Sequence, residues 1–167
     1  MMKKIVMMIG VMVMVIGLTG CGADRNEAGN EFRESLLEIT PLKFNEDLTG
    51  IELELLDGGR TVSYALITLQ LVNNTEYTII YGEYFSIEFY DAGEWKVVPF
   101  PENTGFFLIA YHLESGEVTS ITRQLEWLFP DGLPTGRYRF RTHVFRDIDT
   151  PIRDHNLHDL VAEFNIQ

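Results

Sequence analysis

The chain has 167 residues, of which 13 are Lys or Arg and 25 are Asp or Glu, so its formal net charge is −12 at pH 7. An acidic surface repels polyanions, which argues against nucleic acid and anionic lipid headgroups as partners and leaves steric or cationic partners open. A single cysteine excludes an internal disulfide and any metal site built from several cysteine ligands.

The N-terminal segment combines a basic start, an apolar run and the cysteine. Lys3 and Lys4 precede apolar residues 5–18, and the run ends at Leu18-Thr19-Gly20-Cys21. The run is shorter than the ~20 residues that cross a bilayer as a helix, which disfavours a transmembrane anchor. A signal peptide without lipid would favour a small residue at position 18, where this chain has leucine. The pattern resembles a bacterial lipoprotein signal peptide, in which the cysteine thiol receives a diacylglyceryl group.

This resemblance implies a cleaved signal peptide over residues 1–20 and a lipid bilayer as partner through acylated Cys21, on the extracytoplasmic face of the bacterial cell membrane. Two acyl chains hold a protein at a bilayer far better than one. Residues 21–31 are small, polar and charged without an apolar period, which predicts a flexible tether. Without Lys3 and Lys4, the 13 basic side chains fall to 11 against 25 acidic ones, a formal charge of −14. The sequence therefore predicts an acidic domain, residues 32–167, held near a membrane.

Residues 32–167 show the two-residue alternation of β-strands. Around Pro41, residues 36–44 predict an irregular edge strand, since proline cannot donate a ladder hydrogen bond. Ile51, Leu53 and Leu55 alternate with two glutamates, which predicts a strand with one solvated face. Residues 61–72 predict a long strand with these residues on one face: Ala65, Ile67, Leu69 and Leu71.

The same alternation continues through the middle of the domain. Phe85, Ile87 and Phe89 are predicted to face inward, and the alternate positions outward: Tyr84, Ser86, Glu88 and Tyr90. The sequence Asp91-Ala92-Gly93 predicts a tight hairpin into residues 95–97. Residues 106–113 are apolar on both faces, so this segment is either covered twice or carries an exposed patch.

A further strand is predicted over residues 118–127, with Ile121, Leu125 and Trp127 facing the same way. Helical periodicity is confined to one turn near residues 32–37. About seven to nine short strands separated by turn signals favour an all-β fold, an antiparallel β-sandwich.

A more specific signal is the spacing in Gly136-Arg137-Tyr138-Arg139-Phe140. Immunoglobulin-like sandwiches have a tyrosine corner, a tyrosine two residues before a core position, whose hydroxyl bonds to backbone upstream. Tyr138 is predicted to be this corner, with its ring in the core and its hydroxyl bonded in the connection 126–134. Phe140 would then occupy the place of the core cysteine. The alternative is an ordinary strand start with a buried tyrosine.

Several short segments, in this order, resemble the bacterial immunoglobulin-like domain of lipoproteins from Gram-positive bacteria: Asn73-Asn74-Thr75-Glu76, Tyr81-Gly82-Glu83, Gly93-Glu94-Trp95, Leu133-Pro134-Thr135-Gly136-Arg137-Tyr138-Arg139 and Ala162-Glu163-Phe164-Asn165-Ile166. The similarity extends from about Ile39 to Gln167. It implies a single immunoglobulin-like β-sandwich on a lipid anchor, with no established catalytic residues and no cofactor.

A stripe of basic residues follows one face of the strand after the corner. Arg137, Arg139 and Arg141 alternate with inward-facing positions, and His143 continues the stripe. Guanidinium groups in this arrangement could dock an anionic group such as phosphate or a carboxylate-rich polymer. The alternative, which we favour, is pairing across strands with carboxylates such as Glu88 and Glu163.

Imidazole and carboxylate groups crowd together in residues 153–159, where His155, His158 and Asp159 form a weak candidate for a divalent metal site. The spacing matches no established zinc motif. The alternative is a solvated loop before the last strand, where polar residues are common.

Several aromatic residues lie outside the predicted core and suit protein or glycan contacts, or cover the sheet faces: Tyr77, Tyr81, Tyr84, Tyr90, Phe106 and Tyr111. The leading functional prediction is a membrane-anchored, non-enzymatic binding module for a protein or polymer of the cell envelope. A small-ligand or divalent-metal sensor using residues 153–159 is the alternative. A hydrolase is the third possibility, but the sequence has no recognisable hydrolase site.

Overall fold

Two antiparallel sheets form the body of the protein. The computed structural model describes residues 23–38, 48–56, 66–147 and 157–167. The elements of these residues are two helices, α1 (Ala23–Ser35) and α2 (Leu125–Leu128), and eight strands: β1 (Ile51–Leu55), β2 (Leu66–Asn73), β3 (Ile79–Asp91), β4 (Glu94–Val97), β5 (Ala110–Leu113), β6 (Val118–Gln124), β7 (Gly136–Arg146) and β8 (His158–Ile166). One sheet has the order β1-β2-β6; the other has the order β4-β3-β7-β8, with β5 paired to the start of β3. The predicted all-β antiparallel sandwich is confirmed.

Some predictions fall outside the described residues: the signal peptide at residues 1–20, lipidation of Cys21, and His155. The strand predicted at 36–44 is described only up to residue 38, where Leu37 forms an isolated bridge with Val97. Among the residues that the structure describes, no helix is both long enough and apolar enough to cross a membrane.

The core lies between the sheets and follows the alternation of the sequence. Ile67, Leu69 and Leu71 of β2 are fully buried, as predicted, and each contributes roughly 1.5–3 kcal/mol by leaving water. The five-stranded sheet contributes aromatic rings, with Phe85 stacked on Phe140 at 4.9 Å between ring centroids. The prediction that β3 turns tightly into β4 is also confirmed.

The tyrosine corner is present. The Tyr138 ring is fully buried, and its hydroxyl donates a hydrogen bond to the carbonyl oxygen of Pro134 at 2.6 Å. Burial raises the pKa of this hydroxyl, so it remains a donor at physiological pH. The corner also needs a glycine, because a Cβ at Gly136 would overlap the ring of Phe89.

A buried asparagine joins the two sheets at the β2–β3 connection. The side-chain amide of Asn73 donates to the carbonyl oxygens of Tyr77 and Leu113, both at 2.9 Å, and of Glu114 at 3.0 Å. Its Oδ1 accepts a hydrogen bond from the hydroxyl of Thr75 at 2.6 Å. One side chain thereby bonds to backbone groups of the β2–β3 connection, of the end of β5 and of the β5–β6 connection.

Most of the segment predicted as a flexible tether, residues 21–31, belongs to α1, which begins at residue 23 and continues past the predicted domain boundary at residue 32. Alanine, glutamate and arginine favour a helix by intrinsic propensity even without an apolar stripe. The C-terminal end of α1 contacts the sandwich. Phe32 packs edge-on against Phe89 at 5.2 Å, and Nε of Arg33 lies 3.3 Å from Oδ1 of Asp91.

The strand predicted over residues 118–127 was wrong at its end, since β6 stops at Gln124 and α2 follows. Leu125 is fully buried, as its strand position predicted. Trp127 is 77% exposed, because two residues along a helix rotate a side chain by about 200° and not back to the same face.

Candidate functional site

The outer face of the five-stranded sheet carries a row of paired charges across β3, β7 and β8. We call it the charge ladder: Glu88, Arg139, Arg141, His143 and Asp159. Arg139 donates from Nε to Oε2 of Glu88, and Nη1 of Arg141 lies 3.0 Å from its Oε1. Asp159 accepts a hydrogen bond from Nη2 of Arg141, and its Oδ1 lies 2.5 Å from Nδ1 of His143.

The predicted outward orientation of Ser86 and Glu88 did not make them exposed, since both are buried. Arg139 lies opposite Glu88 on β7, and Arg141 lies opposite Ser86. The long arginine side chains therefore lie across β3 and exclude water from the carboxylate. Two guanidinium groups compensate the buried charge of Glu88.

The ladder shifts the ionisation of its own members. Burial disfavours the charged form of Asp159, but hydrogen bonds from His143 and Arg141 outweigh this effect and lower its pKa. For Arg141, burial again opposes the charge, and the bonds to Asp159 and Glu88 raise its pKa. Both groups are therefore charged at neutral pH.

The arginine stripe was interpreted either as an anion-docking site or as cross-strand pairs with carboxylates. In the structure the arginines form cross-strand pairs. The third arginine, Arg137, pairs with Glu163 at 2.6 Å between Nη2 and Oε2. The guanidinium groups of Arg137 and Arg139 also lie over Trp95, at 5.2 and 4.5 Å from the ring centroid. An external anion docking here would have to compete with carboxylates already in place.

Of the weak metal candidate, His158 and Asp159 do not share one face, and His155 lies outside the described residues. His158 and Asp159 are the first residues of β8 and not part of a preceding loop, so they point to opposite sides of the sheet. Asp159 belongs to the charge ladder. In the part of the chain that the structure describes, no three or more His, Cys, Asp or Glu residues lie close enough to hold a metal ion.

Most of the predicted surface aromatic residues pack against other rings. Tyr84 stacks on His143 at 5.6 Å, and Tyr81 stacks on Tyr111 at 5.2 Å. Phe106 packs between Phe85 and Tyr84. These rings chiefly cover sheet surface, although Tyr84 and Tyr90 keep more than a third of their surface exposed.

A group of apolar side chains projects from the molecule beside β5 and α2, which we call the edge patch: Phe107, Leu108 and Trp127. Phe107 is 79% exposed, Trp127 is 77% exposed and Leu108 is fully exposed. Of the two alternatives for residues 106–113, a segment covered on both faces or one with an exposed patch, the structure therefore shows the exposed patch. Leu108 and Phe107 could be found from the doubly apolar run. Trp127 could not, because its position in a strand pattern predicted burial.

Beneath the edge patch lies a cavity of about 240 Å³ between the edges of the two sheets. Its apolar walls include Phe85, Phe106, Phe107 and Trp127, and its polar side is formed by Glu83 and Arg123. Nη2 of Arg123 lies 3.1 Å from Oε2 of Glu83, and the Tyr111 hydroxyl donates to Oε1 at 2.7 Å.

This polar pair bridges the sheets, since Glu83 is on β3 and Arg123 is on β6. The register of β3 against β7 shifts between Tyr81 and Phe85, and such a bulge re-aims the side chains within it. The hydrogen bond to Glu83 raises the pKa of the Tyr111 hydroxyl, which keeps it protonated as a donor. The pair is thus held in place beside an open apolar cavity.

Two further cavities among the described residues are less distinctive. One of about 380 Å³ lies between Phe32 of α1, residues 98–101 and residues 128–133. Another of about 430 Å³ lies beside Arg137 and Glu163, which already pair with each other. Neither one is lined by a large apolar side chain that is exposed, whereas Phe107 and Trp127 line the edge-patch cavity.

Comparison with known proteins identifies a family for most of this chain. Residues 47–164 match the family model described as a bacterial Ig-like domain. The matched range includes every strand from β1 to β7 and most of β8. No curated protein matches the chain.

Proposed function

The chain belongs to the bacterial Ig-like domain family, and from this premise we propose that it is a non-enzymatic interaction module held outside the cell membrane by a lipid on Cys21. Domains of this family are typically non-catalytic. The module binds a protein or polymer of the cell envelope, and the edge patch is its contact surface.

The exposure of the edge patch is the observation that carries this proposal. Folding usually buries large apolar side chains, and contiguous exposed ones mark interaction sites. Phe107, Leu108 and Trp127 remain in water although the same sheets bury many other rings. A partner that covers them gains roughly 1.5–3 kcal/mol for each side chain fully removed from water.

The charge ladder is a less favourable contact surface than the edge patch. The charged residues of the ladder are paired with one another, so a partner there would have to separate existing ion pairs. Breaking a buried pair by removing one member costs about 3–5 kcal/mol. A partner at the edge patch meets no such opposition.

Photo-cross-linking in intact cells tests the contact surface. A photoreactive phenylalanine analogue replaces Leu108 in the full chain, and the matched control carries it at Val118, an exposed apolar residue at the opposite end of β6. We expect a discrete adduct with an envelope component from position 108 and none from position 118. Equal adducts from both positions, or none from either, would contradict the proposal.

Fractionation tests the anchor. The Cys21→Ser variant removes the thiol that accepts the lipid, so we expect the protein in the medium or periplasm, whereas the unaltered chain sediments with membranes. A Ser35→Ala variant, which leaves Cys21 intact, serves as the control. Membrane retention of the Cys21→Ser variant after detergent-free lysis would refute the lipid anchor.

A further inference from the structure

The size of the edge-patch cavity restricts its occupant. Pockets for small molecules usually enclose about 300–1,000 Å³ and cover most of the ligand surface. The cavity here is about 240 Å³ and is lined by the exposed rings of Phe107 and Trp127. This volume suits one large side chain inserted from a surface that also covers the rings around the mouth, as at the centre of many protein interfaces.

The charge around the mouth restricts the occupant further. Within the cavity, Glu83 and Arg123 neutralise each other. Two exposed carboxylates lie close along the chain to residues that line the cavity: Glu126 precedes Trp127, and Glu102 precedes Phe106 by four residues. The chain as a whole has a net charge of −12. The resulting potential attracts a cationic surface and accelerates its association.

The same charge disfavours other occupants. Two copies of this chain repel each other, so self-association through the patch would have to overcome like charges. Anionic lipid headgroups are repelled as well. Residues 101–109 and 125–128, which include the edge patch, contain no lysine or arginine that could offset this repulsion at a membrane surface.

We propose that the edge patch binds a cationic segment of a protein partner, which inserts one large apolar side chain into the cavity between Phe107 and Trp127. This inference rests on the proposed function and adds the chemistry of the partner. The Glu83–Arg123 pair forms the rigid polar side of the cavity. The basic residues on either side of the inserted side chain are attracted by the acidic surface of the domain, to which the exposed Glu102 and Glu126 contribute.

The two tryptophans of the chain provide a built-in comparison for the test. Trp127 lies in the edge patch, and Trp95 lies on the outer face against Arg137 and Arg139. The full chain with its anchor is labelled with 5-fluorotryptophan, placed in phosphatidylcholine nanodiscs and observed by fluorine NMR. The probe is a synthetic pentapeptide with one phenylalanine between two pairs of lysines.

We expect the Trp127 resonance to shift saturably with this peptide, while that of Trp95 does not move. Replacing the phenylalanine of the peptide by alanine should weaken binding by about tenfold or more, because the central apolar anchor dominates such contacts. Replacing the lysines by glutamates should abolish binding. The Phe107→Ala variant should lose affinity by about tenfold, whereas the matched Val118→Ala variant should retain it.

Several outcomes would overturn the inference. An unmoved Trp127 resonance, or equal responses to the phenylalanine and alanine peptides, would exclude an inserted anchor. A Trp127 shift caused by phosphatidylglycerol in the nanodisc would identify a membrane as the occupant, and one caused by protein concentration alone would identify a second copy. A response to chitotetraose but not to the peptide would identify a glycan.

Failure here is distinguishable from failure of the proposed function. If the peptide has no effect but position 108 still cross-links to an envelope component in cells, the binding module stands and its partner chemistry is wrong. If the peptide binds as expected but position 108 gives no adduct in cells, the site chemistry stands and the cellular role is wrong.

Discussion

The charge ladder and the edge patch differ in what they bury: the ladder buries charged side chains, and the edge patch leaves apolar side chains exposed. In the ladder, Glu88 is fully buried between Arg139 and Arg141, so groups that usually face water are paired within the domain. In the edge patch, Phe107 and Trp127 are more than three-quarters exposed, so groups that usually avoid water remain in it.

The contrast indicates where binding energy is available. An ion pair that is already formed gives a new partner little to gain, because separating it leaves each buried charge without the group that compensates it. An exposed ring gives its full burial free energy to whatever covers it. In this domain the charges of the ladder are therefore already paired, and the proposed contact surface consists of a few exposed apolar side chains.

The largest expected effect comes from breaking the ladder at its centre. Glu88→Gln removes the charge that compensates Arg139 and Arg141, and should lower the free energy of unfolding by about 3 kcal/mol in urea denaturation. Glu126→Gln, at an exposed carboxylate, is the control and should change stability by less than about 0.5 kcal/mol. A loss below about 1 kcal/mol for Glu88→Gln would mean that the ladder does not stabilise the fold.

A smaller, pH-dependent effect is expected at the other carboxylate of the ladder. Asp159→Asn should cost about 2 kcal/mol at pH 7, since hydrogen bonds to charged groups are lost. The pKa of Asp159 is lowered in the folded protein, while its unfolded value is about 3.9. The unfolded chain therefore binds more protons in this range, and the contribution is complete above about pH 4 and lost as the pH falls through the folded pKa.

Urea denaturation at a series of pH values measures this dependence. The difference between the original chain and Asp159→Asn should narrow as the solution is acidified below about pH 4. Asp131→Asn, at an exposed position, is the matched control. A difference that widened on acidification would have the wrong sign for a carboxylate stabilised in its charged form.

At the tyrosine corner, the contribution of one buried hydrogen bond, from the Tyr138 hydroxyl to the Pro134 carbonyl, can be measured. Tyr138→Phe keeps the buried ring but removes the donor to the Pro134 carbonyl, so we expect a loss of about 1 kcal/mol. Thermal and urea unfolding both measure it. Tyr84→Phe, at an exposed ring on the outer face, is the comparison variant. If Tyr84→Phe lowered the free energy of unfolding as much as Tyr138→Phe does, the corner hydrogen bond would contribute nothing of its own.

The smallest effect on stability is expected at the edge patch. Phe107→Ser should change the free energy of unfolding by less than about 0.5 kcal/mol, because its ring is already in water. It should nevertheless remove the adduct formed from position 108 in cells. The neighbouring Phe106→Ala serves as the contrast and should be destabilising, because its ring packs against Phe85 and Phe100. Marked unfolding of Phe107→Ser would indicate that the patch is part of the core.

Much of the fold could be predicted because its signals are local. Alternation placed Ile67, Leu69 and Leu71 in the core, since successive residues of a strand face opposite sides. The hairpin after Asp91 followed from its turn residues, and Ala92 and Gly93 both have positive φ. The hydroxyl of Tyr138 also reaches backbone only four residues away.

The candidate site could be predicted only in part. The doubly apolar run at residues 106–113 included Phe107 and Leu108, but left open whether they were covered. The position of Trp127 was predicted wrongly. The helical turn α2 replaces the end of the predicted strand, so the Trp127 side chain points to solvent and not to the core. Such short helices carry no periodicity from which they could be recognised.

By itself, the sequence determined the β-class, the apolar core positions of strands such as β2 and the corner, because alternation along a strand and a four-residue spacing are local features. Only the tertiary structure decided that Glu88 is buried beneath Arg139 and Arg141, and that the Glu83–Arg123 pair borders an open cavity. These arrangements require a particular register between strands far apart in sequence. That register is set by the packing of the whole sandwich and not by any one segment.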